Sequence, residues 1–324
     1  MIEFLKDYYA RHTQRITFLI ILLILWGLFS IFIPRFFSIA NLYNLARRMS
    51  VVGIVSIGMT IVLISQGVDL SVGSYVALSG VLVSSFMTGA PGFPEFSILV
   101  SVIITIAILG FLGLLVGISI HDLKVPSFVA GLGMMSIARG LAMIFSGGRI
   151  ITGLPMEFTS VARIDIAGIP FMFIVLLIVL LLSGFVMSRT KFGRNVYTMG
   201  SSKEVARLSG INLRLNIYGI YVLNAVLSAV AGMLLAARLS SGIPSEGVMM
   251  ELDAIAAAII GGTGLSGGEG SVYGTILGAA LIASLQNAGN LLGLDPFYLQ
   301  VVTGLVIIVA VAMDQMRSYQ AEAA

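Results

Sequence analysis

Ten apolar runs, most of them about 20 residues long, divide this chain and constrain its fold more than any other feature. They fall at about 16–33, 49–64, 70–88, 97–119, 126–146, 169–187, 216–237, 251–263, 272–292 and 298–313. A bilayer core is about 30 Å thick, so a helical span takes roughly 20 mostly apolar residues. The third and eighth runs are short or rich in Gly and Ser. Within lipid every backbone polar group must be satisfied internally, which leaves helices or a closed barrel. No period-two alternation supports a barrel. The reading is an all-α polytopic membrane protein of about ten transmembrane helices, forming one domain over 1–324.

Composition agrees. Hydrophobic residues make up 58% of the chain and charged residues only 10%, against about 25% charged in a soluble domain. Such a chain cannot cover a water-facing surface. The net charge of +3 comes without any tract of five basic residues, so nucleic-acid binding is not indicated. There is no Cys, hence no disulfide, and the two histidines, His12 and His121, lie in expected loops, which argues against a metal centre. Lys6, Arg11 and Arg15 precede the first apolar run as in a signal peptide. That run is longer than a usual signal core and no small-x-small site follows, so it reads as a retained span.

Lys and Arg set the orientation. With a cytoplasmic N-terminus, 11 basic residues fall inside: Lys6, Arg11, Arg15, Lys124, Arg189, Lys191, Arg194, Lys203, Arg207, Arg214 and Arg317. Six fall outside, Arg35, Arg47, Arg48, Arg149, Arg163 and Arg238, while Arg139 lies within a span. Both termini are therefore expected in the cytoplasm.

The most basic polar segment is 188–216. Ser201 and Glu204 have capping-box spacing, Gly210 suits a left-handed helix end, and Val205 and Leu208 share a face between them. That describes a two-turn helix, marginal alone, which needs something to dock against; a basic loop that only sets topology fits equally well. The segment 147–168, with Gly147, Gly148, Gly153 and Pro155, reads either as an outer gate or docking surface or as a solvated loop.

Polar side chains inside spans are costly and often mark pathways. Gln286, Asn287 and Asn290 group on the ninth span; Tyr221, Asn224 and Ser228 share a face of the seventh. Amides donate and accept hydrogen bonds, which suits a neutral polyhydroxy solute. The alternative is that they glue helices together. Asp69 is expected near the ends of the second and third spans, and Glu251 and Asp253 near the start of the eighth. No acid is expected at mid-membrane, which argues against an ion-coupled carrier. Arg139 is expected to pair with an acid.

The stretch "IIGGTGLSGGEGS", 259–271, holds two nucleotide-like patterns. G-x-G-x-x-G requires a soluble strand–turn–helix around it, and here a membrane segment precedes it. LSGG begins an ATPase signature, yet no G-x-x-x-x-G-K-[ST] exists in the chain. Gly261, Gly262, Gly264, Gly267 and Gly268 instead read as a tight cytoplasmic turn between close-packed spans. "SQGVDLSVGS", 65–74, echoes it.

Four stretches carry a family resemblance: "GMTIVLISQGVDLSVGS" (58–74), "SRTKFGRNVYTMG" (188–200), "EVARLSGIN" (204–212) and "ELDAIAAAIIGGTGLSGGEGSVYGTILGA" (251–279), continued by "NLLGLDPFYLQ" (290–300). Together they resemble the membrane permease of ribose-type bacterial ABC sugar importers. The resemblance implies a multi-pass protein of the bacterial inner membrane, surrounded by lipid and working as a homo- or heterodimer by alternating access. It implies a separate cytoplasmic ATPase, which carries the ATP and Mg, and a periplasmic sugar-binding protein. This chain itself would bind no cofactor and catalyse no reaction. The 188–216 segment would hold the coupling helix, with Ser201, Glu204, Arg207, Leu208, Ser209 and Gly210 toward the ATPase. The cargo implied is a monosaccharide, ribose-like. A gradient-driven carrier, a channel, or another sugar or sugar-derived signal are the rival readings.

Overall fold

In the computed structural model, residues 18–322 are described. The basic N-terminal stretch with Lys6, Arg11, Arg15 and His12, and the start of the first expected span, lie outside them.

The elements in chain order are α1 (Phe18–Phe32), α2 (Ile39–Ile64), α3 (Val72–Thr88), α4 (Ile98–His121), α5 (Ser127–Ser146) and the short α6 (Met156–Ser160). After them come β1 (Asp165–Ile166), β2 (Ile169–Pro170), α7 (Phe171–Arg189), α8 (Lys191–Ser201), α9 (Lys203–Leu208), α10 (Leu213–Leu239), α11 (Met250–Ile260), α12 (Val272–Leu291) and α13 (Pro296–Glu322). The fold is helical save for the β1–β2 ribbon; α6 and β1 lie in the 147–168 region, and β2 directly follows it.

Among the described residues, five helices are long and apolar enough to cross a membrane: α2, α4, α5, α7 and α10. Three shorter apolar helices, Phe18–Phe32, Val72–Thr88 and Phe297–Val306, accompany them. The remaining two expected spans depart for physical reasons. α12 has 20 residues, but its Gln and Asn side chains dilute its apolar character. α11 has only 11 residues, or about 16 Å at 1.5 Å per residue.

The segment before α11 explains that shortness. Residues 240–249 are largely non-helical, with Gly247 and Met249 at positive φ, and Ser241, Gly242 and Pro244 are buried. Irregular backbone at membrane depth survives only where protein or water satisfies it. Arg139 on α5 does so, donating from Nη1 to the carbonyls of Pro244 at 2.6 Å and Glu246 at 2.7 Å. The expected acidic partner of Arg139 is thus a pair of backbone oxygens, and no salt bridge holds it among the described residues.

α2 and α3 form the centre. Sixteen of the 17 residues of α3 are buried, as a helix apolar all round requires. α10 packs along α4, α3 and α2, while α11 and α12 cover another side of α2. α4, α5 and α7 keep most of their surface outward. α2 begins ten residues before its expected start, because Ser38 caps it by accepting from the Asn41 amide. Arg47 and Arg48 therefore lie within the helix, not in an outer loop.

One exposed cluster ties the end of α4 to the start of α10. The Tyr218 hydroxyl and His121 Nδ1 bond Asp122, and Arg214 pairs with it at 3.2 Å. The Tyr218 hydrogen bond first, then His121 and Arg214, hold the Asp122 carboxyl down at about 2.

Candidate functional site

The α12 stripe opens onto a cavity of about 460 Å³. Its polar lining includes Arg48, Glu246, Asp253, Gln286, Asn290 and Gln300. Gln286 is the centre of a chain of bonds: Arg48 Nη1 donates to its Oε1 at 3.2 Å, and its Nε2 donates to Asp253 Oδ2 at 2.7 Å. An amide can bridge a cation and a carboxylate because it offers an acceptor at one end and donors at the other. Asn290, one turn further along α12, is exposed at this cavity.

Asn287 does not join them. Its Nδ2 donates to Asn41 Oδ1 at 3.0 Å, and Asn41 in turn donates to the Phe36 carbonyl at 2.8 Å. It fastens α12 to the α1–α2 turn. Positions i and i+4 share a helix face but i and i+1 do not, so the three-residue stripe separates into a cavity pair and a structural residue.

The α10 stripe is buried in the bundle. Asn224 Nδ2 donates to Asp69 Oδ2 at 2.8 Å, and Ser228 Oγ donates back to the Asn224 carbonyl at 2.9 Å. Neither lines the large cavity. Asp69 is completely buried and also accepts from the Ser71 amide and hydroxyl. Asp69 lies in the α2–α3 link, at the helix ends where it is expected, and what the sequence does not show is its burial. The missed signal was D-x-S: an Asp accepting from the amide two residues on makes a local turn. Gly58 makes room for Asn224, since a Cβ there would collide with its side chain. Tyr221 lies on a second cavity of about 240 Å³ beside the α2–α3 link. At 1.5 Å per residue, Arg48 and Ser65, which mark the two cavities, are about 25 Å apart along α2.

The glycine turn meets both its sequence echo and the basic segment. The Gly268 amide donates to the Ile64 carbonyl at 2.8 Å, and Gln66 Nε2 donates to the Ser266 carbonyl at 2.7 Å. Gly262, Gly267 and Gly268 have φ of 88°, 76° and 74°, a region that favours glycine. Gly261 lies directly against the backbone of Gly274 and Thr275. Gly264 is different: φ is not positive, and a Cβ there would meet nothing within 4 Å. Gly200, at the end of α8, lies against the Ile64 carbonyl and the Gly268 amide. Three chain segments thus share one backbone junction.

The basic segment folds as two helices, not one. Ser201 ends α8, its Oγ donating to the Tyr197 carbonyl at 3.2 Å. The cap of α9 is Ser202, which accepts from the Val205 amide at 3.2 Å. This corrects the Ser201–Glu204 capping box, because α8 extends through Ser201. At the other end Gly210 has φ 75°, and Ile211 and Gly210 donate to the carbonyls of Ala206 and Arg207, a Schellman closure. Ala206 is buried, whereas Val205 is 54% and Leu208 77% exposed. Glu204 and Arg207 are 3.8 Å apart at the surface, a geometry that contributes little to stability. Among the described residues no group of three or more His, Cys, Asp or Glu is placed to hold a metal.

An apolar helical bundle that encloses a cavity of charged and amide side chains has the build of a membrane transport protein. Its sequence places it more closely. The family model described as "Branched-chain amino acid transport system / permease component" matches residues 41–311, and the chain belongs to that family. It is 38% identical to the ribose import permease of Haemophilus influenzae, over 91% of each chain. It is 37% identical to the ribose import permease of Escherichia coli (strain K12), over 92% of this chain and 93% of that one. The galactose/methyl galactoside import permease of the same organism is 32% identical over the same shares. No solved structure matches the chain.

Proposed function

We propose that the chain is the multi-pass inner-membrane permease of an ATP-driven bacterial importer whose cargo is a monosaccharide, ribose-like. The observation that carries the reading is the Arg48–Gln286–Asp253 chain with Asn290 in a cavity of about 460 Å³, within a chain of this permease family. That volume falls in the range of small-molecule sites, and amide, guanidinium and carboxylate groups together match the donors and acceptors of a sugar's hydroxyls. Gln286 and Asn290 face the cargo. Asn287, Asn224 and Ser228 hold the helices around it, and Tyr221 belongs to the other end of the bundle.

The topology that fits this role has ten membrane segments with both termini in the cytoplasm, supported by the distribution of Lys and Arg. α8 and α9 then face the cytoplasm. The exposed pair Val205 and Leu208, flanked by Glu204, Arg207, Ser209 and Gly210, is the surface for a separate ATPase, which carries ATP and Mg. A periplasmic sugar-binding protein docks at the opposite face, and a second permease chain completes the dimer.

The reading is tested in proteoliposomes that contain the permease with its native ATPase and binding protein. Labelled ribose should enter only with ATP. Entry driven by a proton or sodium gradient without ATP would overturn it. Asn290→Leu should lower uptake by about three- to tenfold, the worth of one hydrogen bond, with an unchanged melting temperature. Asn287→Leu should do the reverse, destabilising the fold by about 1–3 kcal/mol through the orphaned Asn41 Oδ1. Equal behaviour of the two variants would contradict the division of the stripe.

Arg207→Glu should cut ATP-coupled uptake by about tenfold or more, because reversing a charge across an interface costs several kcal/mol. Membrane insertion should be normal, since the Glu204–Arg207 pair is exposed. Wild-type uptake would remove α9 from the ATPase contact.

A further inference from the structure

The second cavity, of about 240 Å³, gathers residues from several parts of the chain. The α2–α3 link contributes Ser65 and Gln66, the α4–α5 link contributes Lys124, α5 begins there at Ser127, and α9 contributes its first residue, Lys203. Tyr221 of α10 is buried against the same cavity. Its lining contains two cations and no carboxylate. Neither lysine has an ion-pair partner among the described residues. The acids closest in sequence are already engaged: Asp69 by Ser71 and Asn224, Asp122 by Tyr218, His121 and Arg214, and Glu204 by Arg207.

The neutral surroundings favour an anion as well. α5 is 20 residues long and starts without a side-chain cap. Its first-turn amides and the positive end of its dipole therefore add to the lysines at this opening. Two ammonium groups on separate elements suit a dianion, and lysine serves as a point-charge binder of phosphate.

We propose that this cavity binds a phosphate-class dianion, which bridges Lys203 on α9 to Lys124 on the α4–α5 link. The occupied cavity holds α9 against the bundle, and the empty one leaves its first turn freer. Binding itself is independent of the ATPase reading; a restraint on transport follows only where α9 is the ATPase contact. Both inorganic phosphate and a phospholipid phosphomonoester present the required chemistry.

The experiment uses the purified full chain and titrates inorganic phosphate against chloride at equal ionic strength. Melting temperature and hydrogen exchange of the α9 amides are both read. Phosphate should raise the melting temperature saturably and slow exchange in α9. Lys124→Gln and Lys203→Gln should each weaken the apparent affinity by on the order of tenfold, the equivalent of one charge-assisted contact. The melting temperature without phosphate should not change, as neither lysine has an ion-pair partner. No saturable response, or a response identical in wild type and both variants, overturns the proposal.

The source is separated in nanodiscs of phosphatidylcholine with and without phosphatidic acid. Loss of the phosphate response when phosphatidic acid is present, in wild type alone, makes the lipid headgroup the occupant. An undiminished response makes it free phosphate. If neither phosphate nor phosphatidic acid protects α9, the site is not an anion site.

Discussion

Gly200→Ala is expected to abolish ATP-coupled uptake and to lower the melting temperature, while Gly264→Ala changes neither. The two substitutions add the same methyl group at the same end of the bundle. At Gly200 that methyl would overlap the Ile64 carbonyl and crowd the Gly268 amide. Those two groups are hydrogen-bonded to each other at 2.8 Å, so the overlap falls on backbone, which cannot rotate aside. Overpacking of this kind costs about 1–3 kcal/mol, and the loss of the Gly268–Ile64 bond adds about 1 kcal/mol. The functional loss should exceed the stability loss. α8 leads into α9, and the junction is where that segment touches both the α2–α3 link and the α11–α12 turn. If α9 is driven by an ATPase, its displacement reaches the bundle centre through Gly200. Gly264 has open space and an ordinary φ, so its variant controls for glycine removal in general. Normal uptake by Gly200→Ala, or equal damage by both variants, would remove the junction from the transmission path.

The apolar runs were legible because lipid demands continuous hydrophobic helices, and α4, α5 and α7, which face outward, are those runs in plain form. The misplaced elements are those where protein, not lipid, surrounds the backbone. α2 begins early because Arg47 and Arg48 each find a partner within the fold, Asp165 at 3.3 Å and Gln286 at 3.2 Å. A hydropathy window reads such residues as a loop. α11 is short because Arg139 supports the broken backbone before it, a tertiary contact that local pattern cannot show. The two glycine links share a sequence pattern, and only the folded chain shows that they touch. For the candidate site, the amides on α12 were visible as polar positions, but which face met the cavity depended on rotation about the helix axis. Gln286 and Asn290, four apart, met it; Asn287 did not. Asp69 lies at the helix ends where it is expected, but its burial was not legible, because the donors that satisfy it come from Ser71 and from α10, 155 positions away.

That long-range pair supports the second large effect, a loss and its rescue. Asp69→Ala should be strongly destabilising, because it strands the Asn224 amide and both Ser71 donors in a buried place. Each orphaned donor costs about 1–3 kcal/mol. Asp69→Asn should be intermediate. Its oxygen can accept from Ser71, but its NH₂ then faces the NH₂ of Asn224. Asn224 cannot turn over freely, since its Oδ1 end is packed against Gly58. The double variant Asp69→Asn with Asn224→Asp reverses the polarity of the contact. The new carboxylate on α10 accepts from the new amide on the link, and Ser71 keeps its acceptor. The exchange also keeps one buried carboxylate, so net charge is unchanged. The double variant should therefore melt closer to wild type than Asp69→Asn alone, with a coupling energy of about 1–3 kcal/mol for residues in contact. Uptake should recover in parallel if the pair only joins the α2–α3 link to α10. Stability restored without uptake would instead assign Asp69 a role in transport that depends on the carboxylate at that position, and additive damage would show that the two side chains do not depend on each other at all.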